Sequence, residues 1–415
     1  MFFFVKANFT RHNAFSGNVD HQHLMEPYIG TYRLIVKHIG SSADLSTLCR
    51  VNKRFQQVAE QVLYSTISTV NARDSFGMCS LFAKTPRLAA MVNSLTLLIS
   101  DEDDSGSGPP AELRLPDHFW PTLSKALHQT TGLRFLKIHL ENVGDAAQAW
   151  ILSDTTFRLL GFHCDLQWDA DLVSFLNTQS DIDDLYIVDY SLAEDNTPTS
   201  TSTSSLNPDA LPNLSTLQCT FIEAAYALVP SRPISRLKTC FSKTRLPDKR
   251  EELLLLFSGL RKTTHPLRSL DIADSSYSDS FSMALLSSVV KLGNRIQELR
   301  YLGTFVLPID GDVVRNLVSG NDRCRLTHII KRLEFYGLLR TLCHLECLEV
   351  DVSEWEPPPP VPSGMQALAG ELRLYCPSLQ RVVFVNDFER TVITAARGRY
   401  AVDHESNTDN IWREF

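Results

Sequence analysis

Two periods of hydrophobic and polar residues run along this chain, and the switch between them divides it. In residues 44 to 67, DLSTLCRVNKRFQQVAEQVLYSTI, the apolar positions Leu45, Leu48, Val51, Phe55, Val58, Ala59, Val62 and Leu63 recur in steps of three and four. Such steps put side chains on one face of a 3.6-residue helix, so the pattern predicts an amphipathic helix running into a short strand-like exit. Arg50, Lys53, Arg54, Gln57 and Glu60 fall mostly on the other face. Upstream, Tyr32, Leu34, Ile35, His38 and Ile39 mark a shorter amphipathic helix within residues 23 to 40. Ser41 or Ser42 suits the cap of the second helix, and Asp44 its first turn, where the helix dipole favours an acid. Residues 1 to 22 show no period.

Beyond residue 68 the apolar positions alternate instead. Short runs recur as SLTLLI at 94, FLKIHL at 135, RLLGFHC at 158, DLYIVDY at 184 and TLQCTF at 216. They continue as RLKTCF at 236, SLDIAD at 269, ELRYLG at 298, CLEVDV at 347 and RVVFVN at 381. Most have another apolar residue three positions earlier, as in Leu133-x-x-Leu136-x-Ile138, Ile296-x-x-Leu299-x-Tyr301 and Leu345-x-x-Leu348-x-Val350. Each phrase predicts a strand, with the remainder of the unit returning as a helix or loop, in the manner of a leucine-rich repeat. Successive phrases lie about 20 to about 49 residues apart, beyond the roughly 20 to 29 of regular repeats, so the array is degenerate and carries insertions. Helical spacing between phrases is clear at 169–176, 249–260 and 281–292. Polar or proline-rich loops interrupt the array at 101–110, 194–208 and 356–363, the last read as a polyproline II segment. Arg381 to Val385, Thr391 to Ala395 and Arg399 to Val402 predict three closing strands, and 403–415 a tail.

Composition narrows the class. Hydrophobic residues make up 43% and charged residues 21% of 415, the balance of an ordinary soluble globular protein. A net charge of −8 argues against a general binder of nucleic acid or anionic membrane. No apolar run approaches the roughly 20 residues that span a bilayer, and MFFFVKANF is too short for the apolar region of a signal peptide. The nine cysteines are scattered singly, which predicts reduced thiols in a cytoplasmic or nuclear protein. Sequons at Asn8 and Asn213 then carry little weight.

Candidate chemistry changes the picture little. Cys343-His344-x-x-Cys347 has no second Cys/His pair to complete a zinc site, and Cys347 sits in a strand phrase. His21 and His23 are an isolated pair. Asp101-Glu102-Asp103-Asp104 lacks the alternating ligands of a calcium loop. There is no Walker loop, no dinucleotide-binding glycine fingerprint after a strand and no nucleophile elbow. Catalytic, cofactor and metal residues are therefore expected to be absent. Trp120, Trp150, Trp168, Trp355 and Trp412 fall near loops or phrase edges, where a role in packing or in recognition is open.

The order Leu45-x-x-Leu48-Cys49-x-Val51-x-x-x-Phe55-x-x-x-Ala59, closing in Leu63-Tyr64-x-x-Ile67, resembles the second half of an F-box, in the form common in fungal proteins. Where that family has a Leu-Pro pair before its first helix, this chain has Pro27 followed by Tyr28-Ile29-Gly30. The resemblance implies an α/β protein with a small N-terminal helical F-box-like module at 23–67 and an irregular leucine-rich-repeat-like solenoid at 68–402. It further implies a substrate-recognition subunit of an SCF-type ubiquitin ligase, with no catalysis of its own. Ile35, Ile39, Leu45, Leu48, Val51 and Phe55 would dock the Skp-type adaptor and its cullin complex, and the repeats would take a protein target. The alternative is a repeat scaffold whose F-box-like helices only cap the solenoid.

Overall fold

The computed structural model describes residues 29–99, 115–140, 149–188, 206–274, 278–308, 322–396 and 399–415. Residues 1–22, which show no period, the start of the first helix at 23–28, the acidic insert at 101–110 and most of the Ser/Thr-rich loop at 194–208 lie outside them. The chain divides into two compact units, Met1–Leu63 and Tyr64–Phe415.

The first unit holds helices α1 (Ile29–Lys37) and α2 (Ser42–Leu48) and most of α3 (Lys53–Ser65). Ser41 caps α2, its side chain accepting from the Asp44 amide at 3.4 Å. The single helix predicted from residue 44 is in fact two. After Leu48 the chain tightens, with the Arg50 amide donating to the Thr47 carbonyl and the Val51 amide to the Leu48 carbonyl. Asn52 then starts a new helix, its Oδ1 accepting from the Phe55 amide at 2.8 Å. A side-chain acceptor aimed at a free N–H of a helix's first turn is what a cap supplies, and residues 44 to 67 hold one in their middle. Tyr32, Val36, Leu45, Val58 and Ala59 form the buried core of this unit, and the Phe55 ring meets Tyr32 edge-on at 4.6 Å.

The second unit is mixed α/β. Its strands are β1 (Thr66–Thr69), β2 (Ser94–Ile99), β3 (Phe135–Leu140), β4 (Gly161–Cys164), β5 (Asp184–Ile187), β6 (Thr216–Cys219) and β7 (Arg236–Phe241). They continue as β8 (Ser269–Asp274), β9 (Tyr301–Val306), β10 (Cys347–Asp351), β11 (Arg381–Asn386), β12 (Glu389–Ala396) and β13 (Arg399–Asp403). Among the described residues these thirteen strands form one sheet, ordered as in the sequence. Neighbours are parallel from β1 to β11, and the last two strands add antiparallel. Between strands run α4 (Ala72–Lys84), α5 (Pro86–Ala89), α6 (Phe119–Gln129), α7 (Ala170–Thr178), α8 (Ile222–Leu228), α9 (Leu246–Leu260), α10 (Asp279–Val290), α11 (Asp322–Leu339) and α12 (Ser363–Tyr375).

One row of side chains organises this sheet. Ile67, Leu95, Leu136, Phe162, Leu185, Leu217, Leu237, Leu270, Leu302, Leu348 and Val382 stand side by side in register across β1 to β11. From Leu95 onward, each has a buried apolar residue three positions earlier: Val92, Leu133, Leu159, Ile182, Leu214, Ile234, Leu267, Leu299, Leu345 and Leu379. The ten predicted phrases all coincide with strands β2 to β11. One is shifted: the sequence suggested Ile296-x-x-Leu299-x-Tyr301, whereas the register aligns Leu302 with Leu270 and Leu348, so the true pair is Leu299-x-x-Leu302. Gly303 and Thr304 follow Leu302, and without an apolar residue there the phrase was masked. Because side chains alternate across a strand, the row and its neighbours face one side of the sheet, where helices cover them. The intervening residues face the other side.

Candidate functional site

In the helical unit, the six residues expected to dock an adaptor are divided by the packing. Ile35 and Val51 stand exposed at 44% and 59%. Ile39, Leu48 and Phe55 are half-buried, flanking the core. Leu45 is a core residue, 5% exposed, and does not belong to an outward face. Leu34 and Val62 are exposed apolar residues that the sequence reading left out of the set. Both stand among the apolar positions that predict the helices, and helical period alone does not say which flank of a stripe turns inward.

In the second unit, the face of the sheet away from the helices carries polar residues in two registered rows. The first runs Asp184, Thr216, Arg236, Ser269, Tyr301, Cys347 and Arg381 across β5 to β11. The second includes His163, Tyr186, Gln218, Lys238, Asp271 and Gly303 across β4 to β9. On the β2 to β5 side the face is open to solvent in part. Phe135 is 46% exposed there, lying over Gly161, where an added Cβ would stand 3.0 Å from its ring.

Farther along, charge is buried in pairs. Lys238 meets Asp271 at 2.8 Å. Glu349, almost wholly buried, accepts hydrogen bonds from the Tyr301 hydroxyl at 3.0 Å and the Thr304 hydroxyl at 2.9 Å, and faces the Arg390 guanidinium at 3.4 Å. Burial and the neighbouring Asp271 carboxylate push the Glu349 carboxyl above the usual range, outweighing Arg390 and the two donors. Burial, with Asp271 and Glu349 nearby, also drives the Tyr301 hydroxyl well up. At Asp184 burial acts in the same upward direction, but His163 at 3.3 Å and Arg413 overcome it and hold the carboxyl low.

Residues 409–415 lie over this charged part of the face. Asp403 turns the chain by accepting from the Glu405 and Ser406 amides. Ile411 and Trp412 are then buried against Tyr301, Cys347, Val383 and Val392. Arg413 donates to Asp184 at 2.5 Å and to Gln218 at 3.1 Å, and Phe415 stacks on Tyr301 with centroids 6.1 Å apart. The sequence predicts 403–415 only as a tail, with packing and recognition both open for Trp412. Its signal, an apolar pair followed by a basic residue in a polar stretch, has no period to announce it.

Trp355 is also buried, its indole donating to the Leu307 carbonyl at 2.9 Å, while Trp120, Trp150 and Trp168 pack half-buried against the core. Cys347 points into the buried cluster beside Tyr301, and Cys343 and His344 are exposed. Among the described residues no cluster of three His, Cys, Asp or Glu side chains is arranged to hold a metal ion, and no helix is long and apolar enough to cross a membrane. Burial raises the Cys79 and Cys219 thiols to about 12, which makes them poor nucleophiles at neutral pH. A scan against protein-family models and a search of curated proteins found no match.

Proposed function

We propose that this chain is a substrate-recognition adaptor of an SCF-type ubiquitin ligase, with an F-box-like helical module and a leucine-rich-repeat-like solenoid. The carrying observation is the pairing of two features. A small helical unit holds the F-box-like spacing and leaves Leu34, Ile35, Val51 and Val62 exposed. A sheet of registered phrases beside it in sequence has one face covered by helices and the other lined with polar side chains, part of it open to solvent and part covered by residues 409–415. Exposed apolar side chains on a folded helical unit favour a protein partner, because each forgoes burial that contact would supply. The sheet's polar face suits a protein target, since charged and aromatic groups at defined register fix orientation and partner choice.

In this reading the Skp-type adaptor contacts Ile35 and Val51, with Ile39, Leu48 and Phe55 at the margin of the contact and Leu45 supporting it from the core. The cullin complex supplies the chemistry. Affinity purification of the full chain from its own cells, with identification of bound proteins, tests the proposal. Recovery of a Skp-type adaptor together with cullin supports it. Recovery of targets with neither leaves the repeat-scaffold alternative in its place.

A further inference from the structure

Residues 409–415 occupy the open face of the sheet in an unusual way. They add no strand to it and hold on by side chains: Ile411 and Trp412 by burial, Arg413 through Asp184 and Gln218, Asp409 through Arg390 at 2.8 Å and Glu414 through Arg381 at 2.7 Å. The residues leading to them, 403 to 410, are exposed or half-buried. The fit is also incomplete. Asp184 Oδ1, Arg236 Nε, Ser269 Oγ and Trp412 Nε1 are buried without a hydrogen-bond partner among the described residues. Three of these belong to a single register row of the face, β5 to β8, and the fourth to the occupant. A buried polar atom left unpaired costs more than a hydrogen bond returns, so an occupant that leaves several unpaired is a replaceable one.

We propose that 409–415 is a built-in ligand of this face, and that the face takes a protein partner through a short peptide segment in which an aromatic side chain is followed by a basic one, the partner displacing the chain's own segment. The chemistry is set by what the occupant already uses. The Lys238 ammonium lies 6.0 Å from the Trp412 ring centroid, a position that favours a flat π face. The Asp184 carboxylate and the Gln218 carbonyl oxygen meet two nitrogens of one guanidinium, the forked geometry that arginine fills best. A partner wins by adding what Ile411–Arg413 lacks, an acceptor for Arg236 Nε and a group to pair with Ser269 Oγ. The proposal rests on the reading of this face as the target-recognition surface.

The probe is a fluorescently labelled peptide of residues 404–415, titrated into full-length protein and followed by anisotropy. Wild type, whose site is filled, should bind it weakly. Full-length Arg413→Ala, which loosens the tethered segment without altering the face, should bind it about tenfold or more tightly than wild type does. A peptide carrying the same Arg413→Ala change should lose that advantage. Asp409→Asn, at a solvent-exposed side chain, provides a second loosened form. In unmodified wild type, hydrogen exchange at 409–415 should outrun that of β7 and β8 by at least tenfold. Exchange of 409–415 no faster than β7 and β8, or equal peptide binding by wild type and both loosened variants, would overturn the proposal by making the segment a fixed part of the fold. None of these measurements involves the helical unit or a ligase, so their failure leaves the adaptor proposal standing, and loss of adaptor binding leaves them unaffected.

Discussion

Glu349 shows how a repeat position can be given over to something other than packing. It sits between Leu348 and Val350 on the face away from the helices, yet it is 2% exposed, with Arg390 of β12 and the Tyr301 and Thr304 hydroxyls against it. With its carboxyl held above the ordinary glutamate value of about 4.3, the folded protein binds that proton more tightly than the unfolded chain does. As pH rises through the interval between the unfolded value and the raised folded value, the unfolded chain releases the proton first, and stability falls. Glu349→Gln keeps acceptor oxygen for Tyr301 or Thr304 and removes the titration. Its stability relative to wild type should therefore improve with rising pH across that interval, measured by urea unfolding at a series of pH values. A difference that is flat, or that moves against Gln as pH rises, contradicts the assignment. Such a residue is not legible in the sequence: nothing in the spacing of the phrases marks Asp271 or Glu349 as buried, and their partners Lys238 and Arg390 stand on other strands.

Among the elements, strands were the most legible and helix ends the least. The apolar-x-x-apolar-x-apolar phrase locates β2 to β11 because every strand must place its row residue against the same helical layer. It failed only in register at β9, where Gly303 and Thr304 hide the pattern. The break between α2 and α3 was hidden for the opposite reason: the apolar period continues through it while the backbone does not. Asn52 decides the matter by capping α3. Asn52→Ala should lower the stability of the helical unit by about 1 kcal/mol, read by chemical denaturation with a probe in that unit. An unchanged stability would mean that packing of Phe55 on Tyr32, rather than the cap, fixes where α3 begins. The six docking residues come from the family resemblance, on two predicted helices, and spacing does not say which of them face outward: Leu45 is in the core, while Ile35 and Val51 are exposed.

Taken together, the two units divide the labour that the proposal requires. The helical unit has a small closed core and carries exposed apolar side chains on its outside. The second unit places a continuous apolar row on one face of its sheet and charge, aromatic rings and residues 409–415 on the other. The most direct measurement is calorimetric titration of the purified full chain with a purified Skp-type adaptor, comparing wild type with the double variant Ile35→Asp, Val51→Asp. Both positions are exposed, so the variant should fold normally, with an unchanged circular dichroism spectrum. The account predicts saturable binding by wild type and a loss of affinity of at least tenfold, about 1.4 kcal/mol, in the double variant. No binding by wild type, or equal binding by a folded double variant, would contradict it.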